Sequence, residues 1–305
     1  MKYIKVPNTD MNASEISLGC MRIASMTNQE ISTLIYTALD EGINFFDHAD
    51  VYAGGKCEEK FSEALGMNSS LREKMILQSK VGIRQGSFDF SKEHILEAVD
   101  GSLQRLRTDH LDVVLLHRPD ALVEPEEVAE AFTMLETSGK VKYFGVSNQN
   151  PMQIELLCKF VKQKIHFNQL QLSITNTGMI DAGINVNMQI DQSINRDGSI
   201  LDYCRLKDII VQPWSPFQYG FFEGVFLDNS KFPELNQKIN MIAADRGVTN
   251  TAIAIAWLLR HPAHMQPILG TTNPDRVKDA CKASDVTLTR QEWYAIYLAA
   301  GNKLP

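Results

Sequence analysis

Cysteine is too sparse and too scattered here to support covalent architecture. The five residues Cys20, Cys57, Cys158, Cys204 and Cys281 are odd in number, widely spread and free of any C-x-x-C pair. That excludes a disulfide framework and a zinc knuckle and leaves reduced thiols. Long apolar runs are missing too. The longest, Ala252 to Leu259, stops at Arg260, well short of the ~20 residues that cross a bilayer, so no membrane partner is expected. Positive charge is not in excess. Thirty Lys and Arg against 37 Asp and Glu give a formal net charge of −7, without the field that duplex nucleic acid needs, so no nucleic-acid partner is expected. The N-terminus, Met1 to Pro7, alternates like a strand and lacks the apolar stretch and small-residue cleavage site of a secretory signal. A cytoplasmic location is the resulting expectation. The G-x-G-x-x-G turn of a dinucleotide-binding doubly wound sheet is absent, and no Gly/Ser linker or composition break divides the chain. A single domain over residues 1–305 is therefore predicted. With 44% hydrophobic and 22% charged residues, the chain holds enough apolar content for a large core and is not disordered.

One theme repeats along the chain: a short β-branched apolar run, a loop, then a helix with apolar residues at i, i+3, i+4 and i+7. The clearest helix follows Thr27, which forms a capping box with Glu30; Ile31, Leu34, Ile35, Ala38 and Leu39 make one stripe before Gly42. Strands are predicted near Ile16–Cys20, Ile43–Phe46, Met75–Lys80, Leu111–His117, Val141–Val146, Ile165–Leu170, Ile209–Pro213 and Gln266–Leu269. Helical patterns separate them, at Glu58–Leu65, Ser91–Leu106, Pro125–Ser138, Pro151–Val161, Ile194–Tyr203 and twice between Glu234 and Arg260. This alternation predicts an α/β protein, a (β/α)8 TIM barrel. Lys2–Val6 and Met11–Glu15 flank a turn-rich segment and read as an N-terminal β-hairpin capping the barrel base. Wide intervals at Thr175–Arg196 and Phe217–Phe232 predict long loops overhanging the site, and Arg290–Ala300 a last helix across the outside.

In such a barrel, chemistry belongs at the C-terminal ends of the strands. Four polar groups lie there: Asp47, Tyr52 five residues on, Lys80 and His117. Period 2 sets Ile76, Gln78 and Lys80 on one face, as it does Val113, Leu115 and His117. Singly, a strand-end Lys or Asp is usually solvated and a lone His usually packs. Together, an anion, a cation, a phenol and an imidazole on neighbouring strands read as an acid–base constellation. A phenol with an ordinary pKa near ~10 is a weak donor at neutral pH. An ammonium held by a carboxylate is expected to lower that value. His261-x-x-His264 has ligand-like spacing but no accompanying carboxylate, and no metal is expected.

The ordered string Asp47-x-Ala49-x-x-Tyr52, Ser79-Lys80, His117-Arg118-Pro119, Gly139-Lys140-Val141, Gly145-Val146-Ser147-Asn148 and Asn168-Gln169 resembles the aldo-keto reductase superfamily. Asp47-His48-Ala49-Asp50 and His117-Arg118-Pro119-Asp120 look most like its bacterial YdhF-like oxidoreductases. The resemblance implies an NADP-dependent enzyme reducing aldehydes or ketones to alcohols, with a small carbonyl compound as its partner. Tyr52 would be the general acid, Lys80 and Asp47 would tune it, and His117 would orient the carbonyl. Ser147, Asn148 and Gln169 match the positions that hold the nicotinamide carboxamide, and Trp214 the aromatic that stacks on its ring. Ser215, Pro216, Phe217 and Gly220 fall in the stretch that faces the pyrophosphate, Met21 in the first-strand segment beside the cofactor. Thr271 and Thr272 form a hydroxyl pair before a helix N-terminus, and Arg276 matches a clamp for a 2′-phosphate.

The chain departs from the pattern at Gly270, where much of the family has Lys, and at His48, where Thr or Ser is common; His48 is a pocket wall or a neighbour of Asp50. The aromatics Phe217, Tyr219, Phe221, Phe222 and Phe226 line a substrate pocket or seal a loop. Arg118 greets an anionic substrate or sits in a surface salt bridge. The short end, Gly301 to Pro305, implies a mouth without a C-terminal lid. The resemblance leaves a second role open, a nucleotide-binding redox sensor like the family's channel-associated β subunits. A lyase or phosphate-handling barrel would leave Tyr52 and Trp214 idle. An oligomerising surface is neither indicated nor excluded.

Overall fold

The computed structural model describes residues 1–305. Strands β1 (Tyr3–Lys5) and β2 (Asn12–Ser14) pair antiparallel as the expected hairpin. Strands β3 (Ser17–Gly19), β4 (Phe45–Asp47) and β5 (Ile76–Val81) follow, then a small hairpin of β6 (Ile83–Arg84) and β7 (Ser87–Phe88). The ring continues with β8 (Leu111–Leu116), β9 (Val141–Ser147), β10 (Ile165–Gln171) and β11 (Ile210–Trp214), and after a hairpin of β12 (Gln218–Tyr219) and β13 (Gly224–Val225) ends at β14 (Ile268–Leu269). The eight parallel strands run in the order β11-β10-β9-β8-β5-β4-β3-β14. A parallel bridge between Val211 and Met265, with Gln266 N–H on the Val211 carbonyl at 2.9 Å, joins the two ends into a barrel. The predicted (β/α)8 architecture is what folds.

Helices α1 (Asn28–Asp40), α2 (Lys56–Leu65), α3 (Ser69–Arg72), α4 (Lys92–Leu106), α5 (Pro125–Thr137) and α6 (Pro151–Phe160) clothe the first strands. Then come α7 (Gly178–Ile184), α8 (Ile200–Leu206), α9 (Pro233–Arg246), α10 (Asn250–Leu259), α11 (Pro274–Cys281) and α12 (Arg290–Ala299). The Thr27–Glu30 capping box is formed in both directions, and Asn150–Gln153 and Thr289–Glu292 repeat it. The helix expected over Ile194–Tyr203 begins only at Ile200, because Asn195 and Asp197 spend their side chains capping the preceding turn: Asn195 Oδ1 accepts from Ser199 N–H at 3.0 Å. No helix is long and apolar enough to cross a membrane.

Two apolar layers flank the strands. A continuous core of 67 buried residues fills the space between barrel and helices. Inside, Phe45, Val113, Leu115, Phe167 and Ile210 pack on Val6, Met11 and Ala13 of the hairpin segment, which plugs the base as expected. Gly145 on β9 is required by close approach: a Cβ there would lie 2.5 Å from Leu115 and 2.8 Å from the Phe167 carbonyl.

Candidate active site

Above the apolar plug the barrel interior turns polar. Gln78, Gln169 and Gln212 on β5, β10 and β11, and Gln266 just before β14, are all buried. Their amides connect in one direction only. Gln266 Nε2 donates to the Ser14 carbonyl (2.6 Å), so its Oε1 accepts from Gln212 Nε2 (2.9 Å). Gln212 Oε1 then accepts from Gln78 (3.0 Å) and Gln169 (3.3 Å), whose remaining N–H groups both reach Asp47 Oδ1, at 2.6 and 3.1 Å. A carbonyl at the floor and a carboxylate at the top can only accept, which fixes the orientation of every amide between them.

Asp47 ends β4, and its neighbour across the sheet supplies the counter-charge. Lys80 Nζ, on a fully buried side chain, stands 2.8 Å from the Asp47 carboxylate. Its other two donors go to the His48 carbonyl (2.7 Å) and Tyr52 Oη (2.9 Å). All three N–H groups of the ammonium are thus used. Burial opposes the charge on Lys80, but the Asp47 carboxylate and the Tyr52 oxygen outweigh it and raise its pKa.

Tyr52 is presented by a short, strained turn. The strand-end pairing continues through His48 N–H on the Gln78 carbonyl (2.8 Å) and Asp50 N–H on the Lys80 carbonyl (3.1 Å). Tyr52 then opens a 3-10 turn in which Ala53, Gly54 and Gly55 all take positive φ, 51°, 63° and 90°. Left-handed backbone costs a residue with a Cβ about 1–2 kcal/mol, and Ala53 bears it directly beside the phenol. The phenol's acidity runs against expectation. Burial is the strongest influence, and with Asp47 acting in the same direction it outweighs the pull of the Lys80 ammonium, so the Tyr52 pKa rises rather than falls. The hydroxyl accordingly keeps its proton at neutral pH.

His117 follows β8, its ring 5.8 Å from that of Tyr52 and nearly perpendicular to it. Burial, then the charges of Lys80 and Arg118, push its pKa well below the ordinary value, so the imidazole is neutral. All four catalytic candidates therefore converge. His48 does not join them: its ring is fully buried, edge-on to Phe61 at 4.6 Å, which rules out a pocket wall.

The residues matched to a cofactor fall into three groups. Ser147, Asn148, Gln169 and Trp214 are linked: Trp214 Nε1 donates to Asn148 Oδ1 (3.2 Å), Asn148 Nδ2 to Ser147 Oγ (2.7 Å), and Ser147 Oγ to the Gln169 carbonyl (3.1 Å). Ser215, at φ 55°, turns the chain into buried Pro216 and half-buried Phe217, and Gly220 tips the β12–β13 hairpin with its carbonyl accepting from Gln171 (2.7 Å). Thr271, Thr272 and Arg276 lie apart at the start of α11, whose first-turn N–H groups on Asp275 and Arg276 already bond the Asn273 side chain. The Arg276 side chain is exposed, and Met21 is 41% exposed in the turn after β3.

The aromatic cluster splits. Phe226 is fully buried and Tyr219 packs on Phe232 at 5.1 Å, sealing the loop, whereas Phe222 stacks on Trp214 at 5.8 Å and exposed Phe221 meets both. The first of the two expected long loops, Thr175–Arg196, is not bare loop: α7 and a 3-10 turn at Asp191–Ser193 form within it.

The family model for the aldo/keto reductase family matches residues 15–298. The chain belongs to that family. Oxidoreductase YdhF of Escherichia coli is 34% identical over 94% of this chain and 93% of its own, which bears out the resemblance read from the motifs. A 6-dehydroglucose reductase of Agrobacterium fabrum is likewise 34% identical, over 96% of each chain. Among solved structures, an aldo-keto reductase from Klebsiella pneumoniae in complex with NADPH superposes with a TM-score of 0.79 at 24% identity, covering 99% of this chain and 96% of its own.

The strand ends pointed to Asp47 and Lys80 of this aldo/keto reductase, and the motifs to Gln169, but the amides of Gln78, Gln212 and Gln266 beneath them were passed over. The signal was present, since Gln78 shares the inward parity of Lys80. Asp50 was also passed over. Its carboxyl is pushed up to about 7, first by burial and then by the fully buried Glu58 carboxylate; the Glu58 charge is already engaged by Arg105 at 2.8 Å and by Ser79 Oγ at 2.6 Å. A raised carboxyl binds its proton more tightly when folded. Its stabilising contribution is complete below the unfolded range near ~4 and gone above about 7. Asp50→Asn is therefore expected to stabilise the protein at alkaline pH, by about 2 kcal/mol once partial solvent screening is allowed for. It should do little at acid pH. Thermal unfolding of both proteins across the pH range checks this, and a gain independent of pH would contradict it.

Proposed function

We propose that this protein reduces aldehyde or ketone carbonyls to alcohols with NADPH, using Tyr52 as the proton donor. One observation carries the reading: a fully buried ammonium, Lys80, bonded at once to Asp47 and to the hydroxyl of Tyr52 beside a neutral imidazole. Tyr52 Oη donates its proton to the substrate oxygen as the alcohol forms. The adjacent ammonium then bonds the phenolate left behind, and Asp47 with its two amide donors keeps that ammonium in place. Neutral His117 donates its ring N–H to the carbonyl oxygen and orients it.

The residues fit a nicotinamide nucleotide. Asn148 has a second amide N–H beyond the one given to Ser147, a complement to a carboxamide oxygen, and the half-buried Trp214 indole stands beside it, its ring flanked by Phe222 and by the Arg118 guanidinium. When bound, that cofactor supplies the hydride. Preference for NADP is part of the proposal, supported by the exposed, unpaired Arg276 in the first turn of α11, the helix that Thr271 and Thr272 precede. So are a cytoplasmic setting, in keeping with five free thiols, and action as one domain.

Fluorescence titration with NADPH and NADH, followed by a panel of small aldehydes and dicarbonyls, tests the reading. Tight binding without consumption would favour the redox sensor instead. Because burial raises the Tyr52 pKa, the rate of reduction is expected to stay level through neutral pH and to fall only on the alkaline side, where the phenol loses its proton. A decline centred near neutrality that persists in Asp50→Asn would argue against Tyr52 as the acid.

A further inference from the structure

Arg118 is a half-buried arginine with an aromatic ring beneath it and no anion beside it. Its guanidinium makes no salt bridge and no hydrogen bond, and it is only partly exposed; the other arginines without such contacts, Arg22, Arg196, Arg276 and Arg290, are all exposed to solvent. A half-buried cation loses hydration, and unless something restores those contacts the loss is costly. Here no carboxylate does. Asp120, two residues on, has turned away to accept from the backbone N–H groups of Phe90 (2.9 Å) and Leu122 (2.8 Å). The titratable groups that sense the Arg118 charge are Tyr52 and His117, which stand at the reacting carbonyl. The guanidinium is held over the Trp214 ring, its central carbon 5.6 Å from the centroid.

Resting on the function proposed above, we propose that Arg118 makes this mouth selective for carbonyl compounds that also carry a carboxylate, which the guanidinium pairs while Tyr52 protonates the carbonyl oxygen. Five donors in a planar fork match a carboxylate in bidentate fashion, and the partly desolvated position strengthens the pair. Topology separates this role from the cofactor's phosphates. Arg118 follows β8, whereas Thr271, Thr272 and Arg276 follow β14, with β5, β4 and β3 between the two strands in the ring.

The test uses 4-carboxybenzaldehyde and its methyl ester, which share the ring and the aldehyde and differ in charge by the one masked carboxylate. The protein is expected to favour the acid in kcat/KM by at least about tenfold, from the worth of hydrogen bonds between charged groups. That ratio should collapse in Arg118→Gln, mainly through KM, and recover in part in Arg118→Lys, which keeps the charge without the fork. An unchanged ratio in Arg118→Gln overturns the inference while leaving carbonyl reduction standing. If neither aldehyde is reduced with either nucleotide, the reduction reading fails, and the anion site is then judged by binding alone. Benzoate should quench the fluorescence of the NADP-loaded protein more strongly than benzamide, and lose that advantage in Arg118→Gln; equal quenching before and after the substitution overturns the site.

Discussion

Replacing Tyr52 with Phe is expected to reduce carbonyl turnover by about 10²–10⁴-fold, the usual contribution of a positioned general acid, while leaving nucleotide affinity close to that of the parent. What the hydroxyl touches limits the damage to the proton transfer. Lys80 Nζ keeps two of its three acceptors, Asp47 and the His48 carbonyl, when the phenol oxygen is removed. The ammonium therefore stays where it is, and the loss to folding is about 1 kcal/mol, that of one hydrogen bond. The ring still meets His117 edge-on. Only the proton is gone. Parallel measurements of kcat, kcat/KM and nucleotide affinity separate the outcomes. Turnover equal to the parent would remove Tyr52 from the mechanism, and a matching loss of nucleotide affinity would recast it as a binding residue.

Period alone was sufficient for the barrel, because parallel strands buried on both faces read as short apolar runs and their helices as amphipathic stripes. Leu111–Leu116, buried at every position, and α1, capped at Thr27 as expected, are the clearest cases. Strand tips were legible for the same reason: a charge at the end of an apolar run has few places to go. What the pattern concealed was the interior amide chain. Glutamine in a strand is uninformative one residue at a time, and Gln78, Gln212 and Gln266 become a unit only through contacts spanning more than fifty residues of sequence, 134 between Gln78 and Gln212 and 54 between Gln212 and Gln266.

The direction of the Tyr52 shift was hidden by a similar circumstance. Sequence supplies the ammonium and the carboxylate but not the degree of burial, and burial decides the sign. For Arg118, adjacency to His117 suggested either a substrate contact or a salt bridge. Only the folded chain reveals that no carboxylate reaches salt-bridge distance of it.

Replacing Lys80 with Met should cost more stability than any other single change at this site. The methionine fills the space but leaves Asp47, 3% exposed, with two amide donors and no cation. Breaking one side of a buried ion pair typically destabilises by about 3–5 kcal/mol, a large fraction of the ~5–15 kcal/mol that holds a domain folded. A urea midpoint shifted downward with an unchanged slope is the expected signature. Adding Asp47→Asn should return most of that stability, since a neutral amide oxygen at the same position still accepts from Gln78 and Gln169 and no charge remains to be buried. Carbonyl reduction should not return with it. The double variant lacks the ammonium that steadies the phenolate, so folding and chemistry, which the Lys80–Asp47 pair serves together, come apart. Recovery of activity in the double variant would mean the pair is structural alone, and a Lys80→Met protein as stable as the parent would mean that the Lys80–Asp47 pair does not hold the fold.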